Sequence, residues 1–182
     1  MRMGFADPPY FKSARKHYAR HHKRAHVWDT LDRHARLIDR LTGEFADGWA
    51  LCCSSVNLRD LLPLCPPAVR VGAWVKPFSI FRPGVNPAYA WEPVIFAGGR
   101  PRPRSAATVR DWVSCNITLR TGLAGSKPPA FCVWVFELLG LQPGDVLVDL
   151  FPGTGIVKRT FKEFCNENHR LLAPGTRRPR AR

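Results

Sequence analysis

Acidic residues are scarce in this chain. Its 182 residues hold 14 Asp and Glu against 28 Lys and Arg, a formal net charge of +14. A field of that sign favours polyanions, nucleic acid above all, with an anionic membrane surface as the weaker competitor. The six cysteines include no Cys-x-x-Cys spacing, which argues against a zinc site or a disulfide framework. Cys52 and Cys53 lie in an apolar strand-like run, and Cys132 and Cys165 in apolar helical patterns. They read as small buried hydrophobes of a reducing compartment. Long apolar runs are missing too. The longest, FCVWVFELLGL, is interrupted by Glu137 and is too short to span a bilayer. MRMGF contains no apolar core of a signal peptide, and no internal repeat is visible. The expectation is a soluble, cytoplasmic protein of one domain, with 45% apolar residues to build its core.

What is present reads as alternating strands and helices. RMGFA (2–6) forms a short strand ending at Asp7. The segment 11–26 carries Lys12, Arg15, Lys16, Arg20, Lys23 and Arg24 with four of the six histidines, His17, His21, His22 and His26. No carboxylate or cysteine joins those histidines and the cations oppose a divalent ion, so no metal is expected. The segment reads as a solvated basic arm with a nucleic-acid-facing role open to it. Trp28, Leu31, Ala35, Ile38, Leu41 and Phe45 recur at three- and four-residue steps, a helix that Asp29 or Thr30 can cap and Gly48 ends. WALCCSSV (49–56) is a strand covered on both faces, followed by a short helix at 57–63. VRVGAWV (69–75) and AWEPVIFA (90–97) are two more strands, and residues 98–125 form a basic loop.

The last third is punctuated clearly. Ser126 can cap a helix with Pro128 and Pro129 in its first turn. Its core face is Phe131, Trp134, Val135, Leu138 and Leu139, and Gly140 and Pro143 end it. GDVLVDLF (144–151) is a strand, PGTG (152–155) a tight turn, and Ile156 to Phe164 an amphipathic helix. Residues 171–182 form a basic tail whose composition points to disorder. The alternation predicts an α/β layer structure with an open, mostly parallel sheet.

Two short stretches carry chemistry. In DPPY (7–10) two prolines fix φ and remove two backbone donors, giving a rigid corner with free carbonyls beside an acid and an aromatic ring. The plain alternative is a strand ending in a proline turn capped by Asp7. In VLVDLFPGTG a buried strand ends in Asp149 and turns through Gly153 and Gly155, where a ligand can approach the backbone. Lys158 stands where a dinucleotide fingerprint needs a third glycine, and no Gly-Lys-Ser/Thr follows. A plain strand-to-helix connection is the alternative. Ligands in open α/β sheets bind beyond the carboxyl ends of the strands. If the strands ending in Asp7 and Asp149 are neighbours, the two motifs face one crevice.

DPPY followed much later by GSKPPAFCVWVFELLGLQPGDVLVDLFPGTG resembles the S-adenosylmethionine-dependent amino-methyltransferases of DNA. The order, catalytic motif first and cofactor motif last, is similar to their permuted class. VNPAYAWEPVIFAGGR resembles small phage and actinobacterial members. The resemblance runs through most of residues 4–157 and implies a methyltransferase-like domain over 1–170 with a Rossmann-like sheet. By it, Asp7, Pro8, Pro9 and Tyr10 would be catalytic, holding an adenine amine. Asp149, Phe151, Gly153, Thr154, Gly155, Ser126, Lys127 and Pro128 would hold S-adenosylmethionine. Lys127 would meet the carboxylate of that cofactor; its plain alternative is an exposed lysine at a helix start. Lys12, Arg15, Lys16, Arg100, Arg102 and Arg104 are the expected DNA contacts, mostly to phosphate. Trp91 and Glu92 read as core and sheet-edge residues. Methylation of the cytosine amine and a decayed, basic DNA-binding remnant are the alternatives.

The resemblance also implies two further strands after the glycine turn, the first ending in an acid for the cofactor ribose. Here NHRLLAPGT (168–176) follows the helix and no acid ends it. The expectation is a sheet without those last strands, and a second copy or another chain completing the pocket.

Overall fold

The computed structural model describes residues 1–19, 23–78, 83–117 and 126–172, with side chains described as far as residue 167. His21, His22 and the tail from 173 lie outside the described residues, as does 118–125 of the basic loop. Among the described residues, six strands form one sheet: β1 (Arg2–Ala6), β2 (Gly48–Cys52), β3 (Arg70–Val75), β4 (Trp91–Gly98), β5 (Trp112–Ser114) and β6 (Val146–Asp149). Their order is β5-β3-β4-β2-β1-β6. β1 pairs in parallel with both β2 and β6, and β3 in parallel with β5. β4 is antiparallel to both of its neighbours, β2 and β3. Five strands therefore run one way and β4 the other, in agreement with the expected open, mostly parallel sheet.

The alternation of side chains along the strands explains the layering. Met3 and Phe5 of β1, Ala50 and Cys52 of β2, and Val94 and Phe96 of β4 project to one face. Ala6, Trp49, Leu51 and Ile95 project to the other. Helices α2 (Leu31–Glu44), with Leu37, Ile38 and Leu41, and α3 (Leu58–Leu61), with Leu61, cover the second face, and Phe45 follows just past the end of α2. Helices α4 (Pro129–Leu139) and α5 (Ile156–Leu172) cover the first. Phe136 of α4 meets Phe161 and Phe164 of α5 edge-on, at ring separations of 5.3 and 5.5 Å. This second contact explains why α4 also buries Cys132 and Phe136, outside the core face read from its spacing. Each such buried side chain contributes about 1.5–3 kcal/mol. All five residues of β2 are buried, as its unbroken apolar run implies. No described helix is long and apolar enough to cross a membrane.

Four local expectations are corrected. Asp29 does not cap α2. Its carboxylate accepts the backbone N–H groups of Ala14 and Arg15, at 2.8 and 3.0 Å, and so caps α1 (Ala14–Tyr18), a short helix inside the predicted basic arm. The N-cap of α4 is Pro128, not Ser126. The basic loop contains β5, whose pairing to β3 no local pattern announces. The segment 168–172 is not a separate piece after the last helix but its end, since α5 runs to Leu172.

Arg100 of the basic loop points inward. Its Nη2 donates to both oxygens of Asp145 at 2.7 Å, and its Nε to the carbonyl of Gly140 at 3.0 Å. Asp145 also accepts from the backbone N–H of Gln142. It therefore ties the α4–β6 turn to the loop. Burial would raise the Asp145 carboxyl, but these donors hold it below the ordinary carboxylate range. A depressed folded value contributes stability that is present at neutral pH and lost as pH falls through the folded value. Asp145→Asn should therefore lower stability by roughly 1–3 kcal/mol at pH 7, and by less below about pH 4. Urea unfolding across pH checks this, and a deficit independent of pH would count against it.

Candidate active site

The pairing of β1 with β6 decides what meets at the carboxyl end of the sheet. Phe5 is in register with Asp149, and the Leu150 N–H donates to the Phe5 carbonyl at 2.9 Å. The Asp7-Pro8-Pro9-Tyr10 corner and the Pro152–Gly155 turn therefore leave adjacent strands at one rim. The corner is held from behind. The Tyr10 carbonyl accepts the backbone N–H and the hydroxyl of Ser13, each at 3.1 Å, and Lys12 turns with φ of 61°.

The Asp7 carboxylate, 21% exposed, faces the ammonium of Lys127, whose side chain is 4% exposed. Lys127 Nζ lies 2.7 and 2.8 Å from the two Asp7 oxygens and 3.2 Å from the Tyr10 hydroxyl. Glu92 completes the cluster. Its Oε2 accepts the Tyr10 hydroxyl at 2.7 Å and stands 3.8 Å from Lys127 Nζ. Its Oε1 accepts from Lys76 at 2.6 Å. Around Lys127 Nζ, the ring centres of Tyr10, Trp74 and Phe131 lie at 5.5, 5.9 and 6.0 Å. At these distances each ring adds about 0.5–2 kcal/mol for a cation.

Burial sets the ionisation of the cluster. It pushes the Asp7 carboxyl up, against the pull of Lys127, with Glu92 adding to the rise. Burial disfavours the charged form of Lys127, but the carboxylates of Asp7 and Glu92 outweigh it and the ammonium is held well above its ordinary value. Glu92 is lowered: burial opposes its charge, and Lys127 and Lys76 overcome that opposition. The Tyr10 hydroxyl is pushed up by burial and then by both carboxylates, so it stays a donor. The nearby thiol of Cys53 is pushed up to about 12 by burial, as is that of Cys132. The six cysteines are free thiols.

The second motif has an open side. Asp149 Oδ1 accepts the Phe151 N–H at 3.0 Å, while Oδ2 is buried with no partner among the described residues. Burial pushes the Asp149 carboxyl up, and Asp7 adds to the rise. Gly153 and Gly155 take positive φ, 44° and 72°, in a turn closed by the Gly155 N–H on the Pro152 carbonyl. A Cβ on Gly155 would meet nothing within 4 Å. The Ser126 and Thr154 hydroxyls lie 3.3 Å apart, so the stretch before α4 meets the glycine turn.

Of the residues singled out from the sequence, Asp7, Tyr10, Lys127, Ser126, Asp149, Thr154 and the two glycines share this rim. Pro8 is buried beside Asp7, and Pro128 leads into α4. Phe151 turns to the other face, where its ring packs edge-on against Trp28 at 5.0 Å. There it borders a groove of about 340 Å3 that also includes Arg33, Arg36 and Arg40. Lys127, expected on a cofactor carboxylate or else exposed at a helix start, instead has its ammonium buried on the Asp7 carboxylate. Glu92 belongs to this cluster rather than to a plain sheet edge. Its pattern in the sequence does not place it at the rim because β4 runs backwards, so its first residues, not its last, reach the rim. The signal available was a lone acid in an apolar strand. Of the basic candidates, Arg15, Lys16 and Arg104 are exposed. Lys12 pairs with Asp60 at 3.4 Å. Arg102 donates to the Glu137 carbonyl, and Arg100 is committed to Asp145.

No protein-family model and no curated protein matches the chain. Among solved structures, it is similar to a crystal structure of the M1.HpyAVI–SAM complex. The identity is 16% and the TM-score 0.60, over 89% of this chain and 78% of that one. A crystal structure of M1.HpyAVI matches at 16% identity and a TM-score of 0.54, over 88% and 75%. At this identity the likeness shows that the chains share a fold: an open α/β sheet of the Rossmann-like kind.

Proposed function

We propose that the chain transfers a methyl group from S-adenosylmethionine to the exocyclic amine of adenine in DNA. The observation that carries this reading is the parallel pairing of β1 with β6. It sets the Asp7 corner and the glycine turn side by side, with Ser126 and Lys127 between them. The fold shared with a protein solved in complex with SAM supports it, as does the net charge of +14.

The residues of the turn fit such a cofactor. Asp149 has a buried oxygen without a partner among the described residues, suited to an ammonium. Gly155 leaves open space where any side chain would intrude. The α5 N-terminus and the turn amides suit an anionic group. Asp149, Gly153, Thr154, Gly155, Ser126 and Pro128 would hold the cofactor, which when bound supplies an electrophilic methyl group on a sulfonium. Phe151 would support the turn from the far face through Trp28 rather than touch that cofactor.

The chain's own residues then do three things. The Asp7 carboxylate and the Pro8 carbonyl accept hydrogens of the incoming amine, which localises its lone pair on nitrogen and aims it. Tyr10 supplies an aromatic face for a base taken out of the duplex. A stack of that kind returns about 1–3 kcal/mol against a flipping cost of a few kcal/mol. Asp7 need not be a strong base, because the nitrogen turns acidic once it carries the methyl group. Catalysis is thus mainly positioning and electrostatics. The surface cations Arg15, Lys16 and Arg104 would contact phosphate, with little sequence readout.

A second reading is a non-catalytic DNA-binding protein. The observation that favours it is Lys127, which occupies both oxygens of Asp7. The experiment that separates the two is transfer of a labelled methyl group to unmethylated DNA, with the modified base identified by mass spectrometry. N6-methyladenine is expected. Label on cytosine would replace the adenine assignment, and no label with salt-sensitive DNA binding would favour the second reading. Asp7→Ala should lower the rate by about 100- to 10,000-fold with an unchanged circular dichroism spectrum; full activity in that variant would remove the role given to Asp7. Asp149→Asn should weaken calorimetric binding of S-adenosylmethionine by about 10- to 100-fold. Unchanged affinity would place the cofactor elsewhere.

A further inference from the structure

We infer that Glu92 is a positioning residue that receives Lys127 from Asp7 when the substrate amine binds. The inference rests on the methyl-transfer reading of the same site and deepens it. The Lys127 ammonium spans both Asp7 oxygens, at 2.7 and 2.8 Å. An amine coming to that carboxylate meets a full positive charge already there. The charge weakens Asp7 as an acceptor, and it opposes the positive charge that the amine nitrogen gains as the methyl group arrives. Lys127 must therefore move away from the reacting nitrogen, while its ammonium is too deeply buried to be left without a carboxylate.

One carboxylate of the cluster suits the move. Glu92 Oε2 stands 3.8 Å from Lys127 Nζ, about 1 Å beyond a charge-assisted hydrogen bond. The Tyr10 hydroxyl, 3.2 Å from Nζ and 2.7 Å from Oε2, lies between the two positions. It can stay bonded throughout. Lys76 holds the other Glu92 oxygen at 2.6 Å and so fixes the carboxylate that waits. The transfer creates and destroys no charge: two carboxylates and two ammonium groups are present before and after it. The same contact gives Glu92 a second effect, since its hold on the Tyr10 hydroxyl orients the ring proposed to stack on the base.

Two measurements test the hand-off. The first is a crystal structure of Asp7→Asn, which removes the charge at residue 7 and needs no activity. Lys127 Nζ is expected within about 3 Å of Glu92 Oε2. An ammonium that stays on the residue 7 side chain, or that turns to solvent, overturns the inference. The second is a double-mutant cycle on single-turnover methyl transfer with Glu92→Gln and Lys127→Met. Glu92→Gln should slow transfer by about 10- to 100-fold, and that loss should shrink to about 3-fold or less when Lys127→Met has already removed the competing ammonium. Losses that simply add overturn the hand-off, because a purely structural role for Glu92 would not depend on Lys127. If the unaltered protein transfers no methyl group, the reading of function falls, and the Asp7→Asn structure alone decides where Lys127 goes.

Discussion

The parallel pairing of β1 with β6 is the constraint on which the site depends. It joins residues 2–5 to residues 146–149, so the first of the described strands lies against the last of them. Closing so long a loop costs conformational entropy before any contact returns it. The return comes from the two apolar layers: Met3 and Phe5 on one face, Ala6 on the other, each against buried residues of later elements. Gly4 shows how tight the fit is, since a Cβ there would meet the ring of Phe45 at 2.6 Å. A slip of one residue would turn Met3 and Phe5 toward α2 and carry Asp7 out of reach of Lys127. Register, core and site are one specification, and the Arg100–Asp145 clamp reinforces it at the start of β6.

The cluster beyond that rim combines features that are costly apart. Four charged side chains, Asp7, Glu92, Lys76 and Lys127, meet in a setting of aromatic rings. Taken singly, each would carry a desolvation penalty of several kcal/mol. Together they are formally neutral, and the Tyr10 hydroxyl donates to Glu92, so the penalty is offset by mutual attraction and hydrogen bonds. Such a cluster contributes little net stability; its consequence is direction. It keeps Asp7 under the influence of a cation, keeps Tyr10 protonated, and fixes the ring of Tyr10 at both ends. The amine proposed to bond Asp7 gains from the aromatic setting, because bulk water would compete for the lone pairs of the carboxylate.

Much of this was legible in the sequence, for local reasons. The strands at 2–6, 69–75 and 90–97 are marked by apolar residues and the turn residues beyond them, and α4 by its prolines at one end and Gly140 at the other. The two chemical motifs were legible because stiffness and glycine each have a direct backbone meaning. What escaped is non-local. Asp29 caps a helix that precedes it by fifteen residues, a contact that exists only because the Ala25–Asp29 turn folds back. β5 has three residues and depends on β3 for its existence. Glu92 joins the site because one strand of the sheet is reversed, which periodicity does not report. The direction of Lys127 was missed because a lysine before Pro-Pro looks the same in sequence whether it faces solvent or an acid 120 residues away.

The distribution of charge separates two roles that the composition merges. A net charge of +14 draws a polyanion to the molecule as a whole, yet several basic residues are committed to partners within the chain. Arg100 braces Asp145, Arg102 reaches the Glu137 carbonyl, and Lys76 and Lys127 serve the buried cluster. On α2, Arg36 and Arg40 are matched by Asp32 and Glu44 one turn away, so that helix adds little to the field. Of the basic residues singled out for phosphate, Arg15 and Lys16 of the early arm and Arg104 of the loop are exposed. The arm continues directly from the Asp7–Tyr10 corner. A duplex held there by its backbone would thus have a base within reach of the rim without any base being read, since phosphate contacts fix position and not sequence. Selectivity for the reacting base would then rest on the corner itself, on which amine can bond Asp7 and Pro8 while its ring meets Tyr10.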